Sequence, residues 1–185
     1  MPRQRREEKT RALTQRNSHS RVLLRTGALS LIVLVAGVIA YLVLPERLQP
    51  PLGREVSIEG IAHIRPGQPH PAYSTYPPTS GVHYEGSAEW GIYDNPIPDE
   101  IQVHNLEHGG ILVQYNCQGC DDLVENLRKV VARYNTKVIL APYPKMDSRI
   151  ALTAWGRIDT FDQFDERRIV RFIEVYVDKG PEKHD

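Results

Sequence analysis

Residues 110–142 read GILVQYNCQGCDDLVENLRKVVARYNTKVILAP. The apolar run Gly110–Tyr115 has the residue types of a buried strand. Asp121–Tyr134 follows with Leu123, Leu127, Val130, Val131 and Tyr134 on one helical face, and Asp121 and Asp122 at the end where the helix dipole favours acids. Val138–Ala141 is a second short apolar strand. Working outward, Ile101–His104 reads as a strand before this unit and Ile150–Ala154 as a strand after it. Asp165–Val177 reads as a second amphipathic helix, with Ile169, Phe172, Ile173 and Tyr176 inward. The order β-β-α-β-β-α predicts an α+β domain, a small mixed sheet packed by two helices.

The segment ahead of it is of another kind. Residues 63–99 contain Pro66, Pro69, Pro71, Pro77, Pro78, Pro96 and Pro98, with Gly67, Gly81, Gly86 and Gly91 among them. Proline at this density excludes a long helix and predicts an irregular first half. Long irregular segments inside compact domains are often functional.

Further toward the N-terminus, Thr26–Leu44 is 19 residues without a charge. As a helix rising about 1.5 Å per residue it would span about 28 Å, close to the hydrocarbon core of a bilayer. Eight basic residues and two acids precede it in residues 1–25, a local charge of +6 inside a chain whose net charge is zero. The remainder carries 15 basic and 21 acidic residues. Basic flanks stay cytoplasmic, so the domain beyond is expected outside. The rival is a cleaved signal peptide, whose apolar core is roughly 7–15 residues long and ends at small residues. This run is longer and ends in Tyr41-Leu42-Val43-Leu44, which favours an uncleaved single-pass anchor. The expected organisation is a basic tail (1–25), a transmembrane helix (26–44), a Pro-containing linker (45–56) and one extracytoplasmic domain (57–185). Because the positive charge is confined to a short tail, a nucleic-acid partner is not expected. Two cysteines exclude a disulfide-dense miniprotein.

Five of the seven histidines fall in the first half of the outer domain: His63, His70, His83, His104 and His108. His104 and His108 flank Glu107 in VHNLEHGG. The pattern H-x-x-E-H belongs to zinc peptidases when it lies on a helix. With Ile101-Gln102-Val103 read as strand and Gly109-Gly110 following, that context is missing, so a peptidase is not expected. A metal site without hydrolysis is the second reading. Residues four apart on a straight strand stand about 13 Å apart, so His104 and His108 can share an ion only through a turn. His83 is the candidate third ligand, and Met146 could add a thioether. Imidazole with thioether favours copper; imidazole with carboxylate favours zinc. Glu107 would coordinate or orient a ligand. The third reading is a polar network of histidines holding loops together without an ion.

Cys117-Gln118-Gly119-Cys120 lies between a strand and a helix, the place a C-x-x-C takes in thioredoxin-like proteins. There Cys117 would be the nucleophile, its thiolate favoured by the helix N-terminus, and Cys120 the resolving thiol. Against this, no Trp precedes Cys117 and no X-Pro opens the strand after the helix. A small structural disulfide, natural outside the cytoplasm, is the plainer reading. A thiolate metal pair would need a second pair. No phosphate-binding glycine loop, dinucleotide fingerprint or G-x-S-x-G turn occurs.

The strings PPTSGVHY, WGIYDNPIPDE, VHNLEHGGILVQY, VILAPYP and IALTAWGR, in that order over roughly residues 58–182, resemble the bacterial domain-of-unknown-function family 3105. The motif residues present are Pro77–Gly81, His83, Trp90, Gly91, His104, Asn105 and Glu107–Gly110. The resemblance implies one domain behind an N-terminal membrane anchor and implies no activity. Cys117 and Cys120 lie outside the resembling strings. Taken together, the expectation is a membrane-anchored outer domain that binds copper, or zinc second, through His83, His104, His108, Met146 and Glu107, for binding or delivery rather than turnover. A thioredoxin-like oxidoreductase and an accessory subunit of a membrane complex are the alternatives; the expected partners are the membrane and either such a complex or a metal-delivery protein.

Overall fold

A computed structural model describes residues 52–182 and, before them, Val35, Gly37 and Val38, which are helical. Apart from those three residues, the expected anchor at 26–44 lies outside the described residues, as do the basic tail and most of the linker. The chain divides into two units, Met1–Pro50 and Pro51–Asp185. Among the described residues no helix is long and apolar enough to cross a membrane.

The second unit is a mixed α+β domain. Its strands are β1 (Arg54–Glu55), β2 (His63–Ile64), β3 (His83–Tyr84), β4 (Gly91–Ile92), β5 (Ile111–Tyr115), β6 (Val138–Pro142), β7 (Ile150–Ala154) and β8 (Arg157–Phe161). Its helices are α1 (Asp99–Glu107), α2 (Asp121–Val131) and α3 (Glu166–Tyr176). Six strands form one sheet in the order β1-β8-β7-β5-β6-β4. β4, β6 and β5 run parallel, while β7, β8 and β1 alternate antiparallel. β2 and β3 form a separate parallel pair.

Strand alternation sorts the core into two layers. Ile111, Val113, Val138, Leu140, Ile150 and Leu152 face α2 and α3, meeting Leu123, Leu127, Val130, Ile169, Phe172 and Ile173. Leu112, Ile139 and Ala141 face the other way, toward Leu106 of α1, Ile97 and Trp90. Helices α2 and α3 present the apolar stripes expected from their 3.6-residue periodicity, and Asp165 caps α3 by accepting from the Arg168 N–H.

The structure corrects the reading of Ile101–His104 as a strand. These residues lie inside α1, which starts after Pro98 and carries Asp99 and Glu100 in its first turn. A helix covered on nearly all sides has no polar face to show its period, and Gln102, Val103, His104, Asn105, Leu106 and Glu107 are all buried. Its register is fixed by a buried amide chain: Gln114 of β5 donates to Gln102 at 2.5 Å, Gln102 donates to the Ile97 carbonyl, and Thr153 of β7 donates to Gln114. The hairpin β7–β8, turning at Trp155-Gly156, is an element the periodicity did not announce.

Candidate metal centre

The centre is built from three separated pieces of chain. The parallel ladder β2–β3 sets His63 directly opposite His83. In α1, His104 and Glu107 are three residues apart and so share a face. One ligand atom from each of His63, His83, His104 and Glu107 falls within 4.8 Å of every other, so the four could hold a metal ion. His83, His104 and Glu107 are buried, whereas the His63 side chain is 31 % exposed. Beside His63 a cavity of about 500 Å³ opens, lined by Arg65, Gln68, Tyr84, Glu85 and Ile101 among others. His63 is the member of the cluster that lines this cavity.

Gly81, the last residue of the PPTSG segment, orients His83. The Gly81 carbonyl accepts from His83 Nδ1 at 2.7 Å. Gly81 has φ +123°, and a Cβ there would meet the Tyr73 ring at 2.9 Å. Tyr73 in turn donates to the Val82 carbonyl at 2.6 Å. Because a carbonyl can only accept, His83 Nδ1 carries a proton. Its Nε2 lies 2.8 Å from Glu107 Oε2, a contact that needs one more proton on the pair. His63 Nε2 reaches the same oxygen at 3.2 Å. An ion arriving at these atoms would take the proton's place.

HNLEHGG divides its labour residue by residue. His104 and Glu107 point to the centre. Asn105 clips the backbone of Ala88 from both sides, accepting from its N–H at 2.9 Å and donating to its carbonyl at 2.8 Å. Leu106 is fully buried in the α1 layer of the core. Gly110 is pressed so close to Trp90 that a Cβ would meet the ring at 2.6 Å. The chain's C-terminal turn docks here too: Asp178 donates its N–H to the Gly109 carbonyl, and Glu182 to the Glu107 carbonyl.

His108 is the C-cap of α1, and its Nε2 meets His104 Nε2 at 2.7 Å. It leans on a member of the cluster rather than completing the four-donor group. Burial pushes the His104 pKa down, and the nearby His108 and His83 push the same way, with a smaller opposing contribution from the Tyr84 backbone. His104 Nδ1 is buried with no hydrogen-bond partner among the described residues. The lowered pKa favours the neutral ring, which is the form that ligates. The helical context denied to H-x-x-E-H on sequence grounds is present in α1, but Glu107 there bonds to His83 and His63.

Of the residues expected to ligate, His83, His104 and Glu107 come together. Met146 packs in a small cluster of its own. It is buried with Tyr143 and Ala151, and its neighbour Lys145 pairs with Asp99 at the start of α1. That position is five residues, about 7.5 Å along the axis, from His104. The four grouped donors are imidazoles and a carboxylate. His63 joins His83, His104 and Glu107 as a fourth candidate donor. It had been noted only as one histidine of five, since a two-residue parallel pairing across about twenty residues leaves no pattern in sequence. Cys117 and Cys120 form a disulfide at the far end of β5, one strand length or about 15 Å from the turn that ends α1.

The family model for DUF3105, described as "Protein of unknown function", matches residues 63–185, a span that begins at His63 and takes in all four donors. The chain belongs to the DUF3105 family. No curated protein and no solved structure matches it. In this DUF3105 domain the motif residues thus fall into donors (His83, His104, Glu107) and the backbone and packing positions that hold them (Gly81, Asn105, Gly110).

Proposed function

We propose that this DUF3105 protein binds a divalent transition-metal ion at His63, His83, His104 and Glu107, with zinc favoured over copper. The observation that carries the reading is the convergence of four donor atoms within 4.8 Å from β2, β3 and α1. Three imidazoles and a carboxylate are a zinc donor set, and a thioether is not among them. The ligand set lends itself to binding or delivery. The protein would be anchored by residues 26–44 with the domain on the outer face of the membrane, presenting the His63 side to a donor or acceptor of the ion.

One observation favours a second reading, a polar network without an ion: His83 is already satisfied on both ring nitrogens, by Gly81 and Glu107. Metal analysis separates the two. The full chain, purified in detergent, challenged with zinc and with copper and freed of loose ions, is expected to retain one equivalent of zinc. His63→Ala and His104→Ala should lose it, and Cys117→Ser should keep it. Retention of no ion by a folded wild-type chain would overturn the metal reading and leave the network.

A further inference from the structure

The second chemical group of the molecule lies at the other end of β5. In the sheet, the chain leaves β5 through α2 to parallel β6 on one side, then crosses back to antiparallel β7 on the other. The carboxyl end of β5 is thus where the chain turns off into α2 and where the segment from β6 to β7 crosses over. Cys117 and Cys120 occupy that point, between the last residue of β5 and the first turn of α2. The crossing segment 143–149 runs alongside: Asn116 takes the Arg149 carbonyl at 3.0 Å on its N–H and donates its side chain to the Met146 carbonyl.

A purely mechanical role explains this bridge poorly. It closes a loop with only two residues between the cysteines, and the shortest loops remove the least unfolded-chain entropy. The helix it precedes is already fixed by Leu123, Leu127, Val130 and Val131 in the core. Both cysteines are partly accessible, and Gln118 and Gly119 between them are exposed. Cys120 is the N-cap of α2 and makes no side-chain capping bond. The first-turn amides, which have no partner within the helix, stand where a thiolate would form. Asp121 and Asp122 act against that thiolate, so the pair accepts electrons only from dithiols more reducing than itself. A C-x-x-C in a strand–helix–strand unit is the thioredoxin-like arrangement, and here the crossover and strand directions are on hand to support it.

We propose that Cys117–Cys120 is a redox-active disulfide that exchanges with dithiols of a protein or peptide substrate, independently of the metal centre. A substrate thiolate attacks Cys117 Sγ, and the Cys117–Cys120 bond breaks with its electron pair leaving on Cys120. The second substrate thiolate then attacks the substrate sulfur of the mixed disulfide and releases Cys117. The substrate is oxidised to a disulfide, this pair is reduced to two thiols by two electrons, and the substrate's two protons end on them.

The test uses the full chain and glutathione as the probe. The native oxidised protein is equilibrated in buffers of varied reduced-to-oxidised glutathione ratio, quenched, and tagged with a maleimide. Two tags should appear and disappear reversibly with the ratio. In Cys120→Ser, oxidised glutathione should leave a stable single adduct on Cys117, absent from Cys117→Ser. A bridge that stays untagged at every ratio until denaturant is added, in a chain that melts cooperatively, would overturn the proposal and make it a fastening of the turn.

Discussion

The two ends of β5 carry reactive groups assembled by opposite strategies. At the amino end, four donors arrive from residues 63, 83, 104 and 107, and three of them are buried. At the carboxyl end, four consecutive residues contain the whole group, and it remains partly accessible. The first exists only when the fold is complete, because its geometry is set by the β2–β3 register and by the seating of α1. The second needs only one strand end and one helix start. A site that depends on the whole fold should also weigh on the stability of the whole fold.

The largest effect should follow from His83→Ala. It strips the buried Glu107 carboxylate of its closest partner, and breaking a buried pair costs about 3–5 kcal/mol. Urea unfolding of the metal-free chain measures it; a loss under about 1 kcal/mol would mean that Glu107 is not held as described. Removing the disulfide by Cys117→Ser with Cys120→Ser should cost less, about 2 kcal/mol, given the short loop. A loss as large as that of His83→Ala would erase the contrast between the ends. Met146→Leu conserves volume in its buried pocket and should cost under about 1.5 kcal/mol with metal content unchanged. Loss of the ion in that variant would bring the thioether back into the site.

The smallest effect is a pH slope. His104 has a lowered pKa in the fold, so the unfolded chain takes up its proton first. Its contribution to stability is fully present above the ordinary imidazole value of about 6.5 and declines as the pH falls below it, down to the folded pKa. The melting temperature of the metal-free protein should therefore drop on acidification from pH 7, and less so in His104→Gln.

Sequence reading succeeded where burial leaves a simple apolar signal. Helices α2 and α3 were legible from a one-sided stripe with the helical period, and strands β5, β6 and β7, buried on both faces, from short unbroken apolar runs. It failed at α1, whose polar residues are buried too: Gln102 belongs to an amide chain through Gln114 and Thr153, and Asn105 to the Ala88 backbone. Ile-Gln-Val-His alternates like a strand while being wound as a helix. At the candidate centre, VHNLEHGG and PPTSGVH marked His83, His104 and Glu107. Neither motif could announce His63, which depends on a two-residue ladder.

The docking of Asp178 and Glu182 against Gly109 and Glu107 has a practical side. The backbone that carries one of the donors is tied to residues a few positions from the chain's end. An affinity handle of consecutive histidines appended after Asp185 would deliver competing imidazoles to the neighbourhood of Glu107 and His104. Metal retained by such a preparation would report the handle as much as the protein.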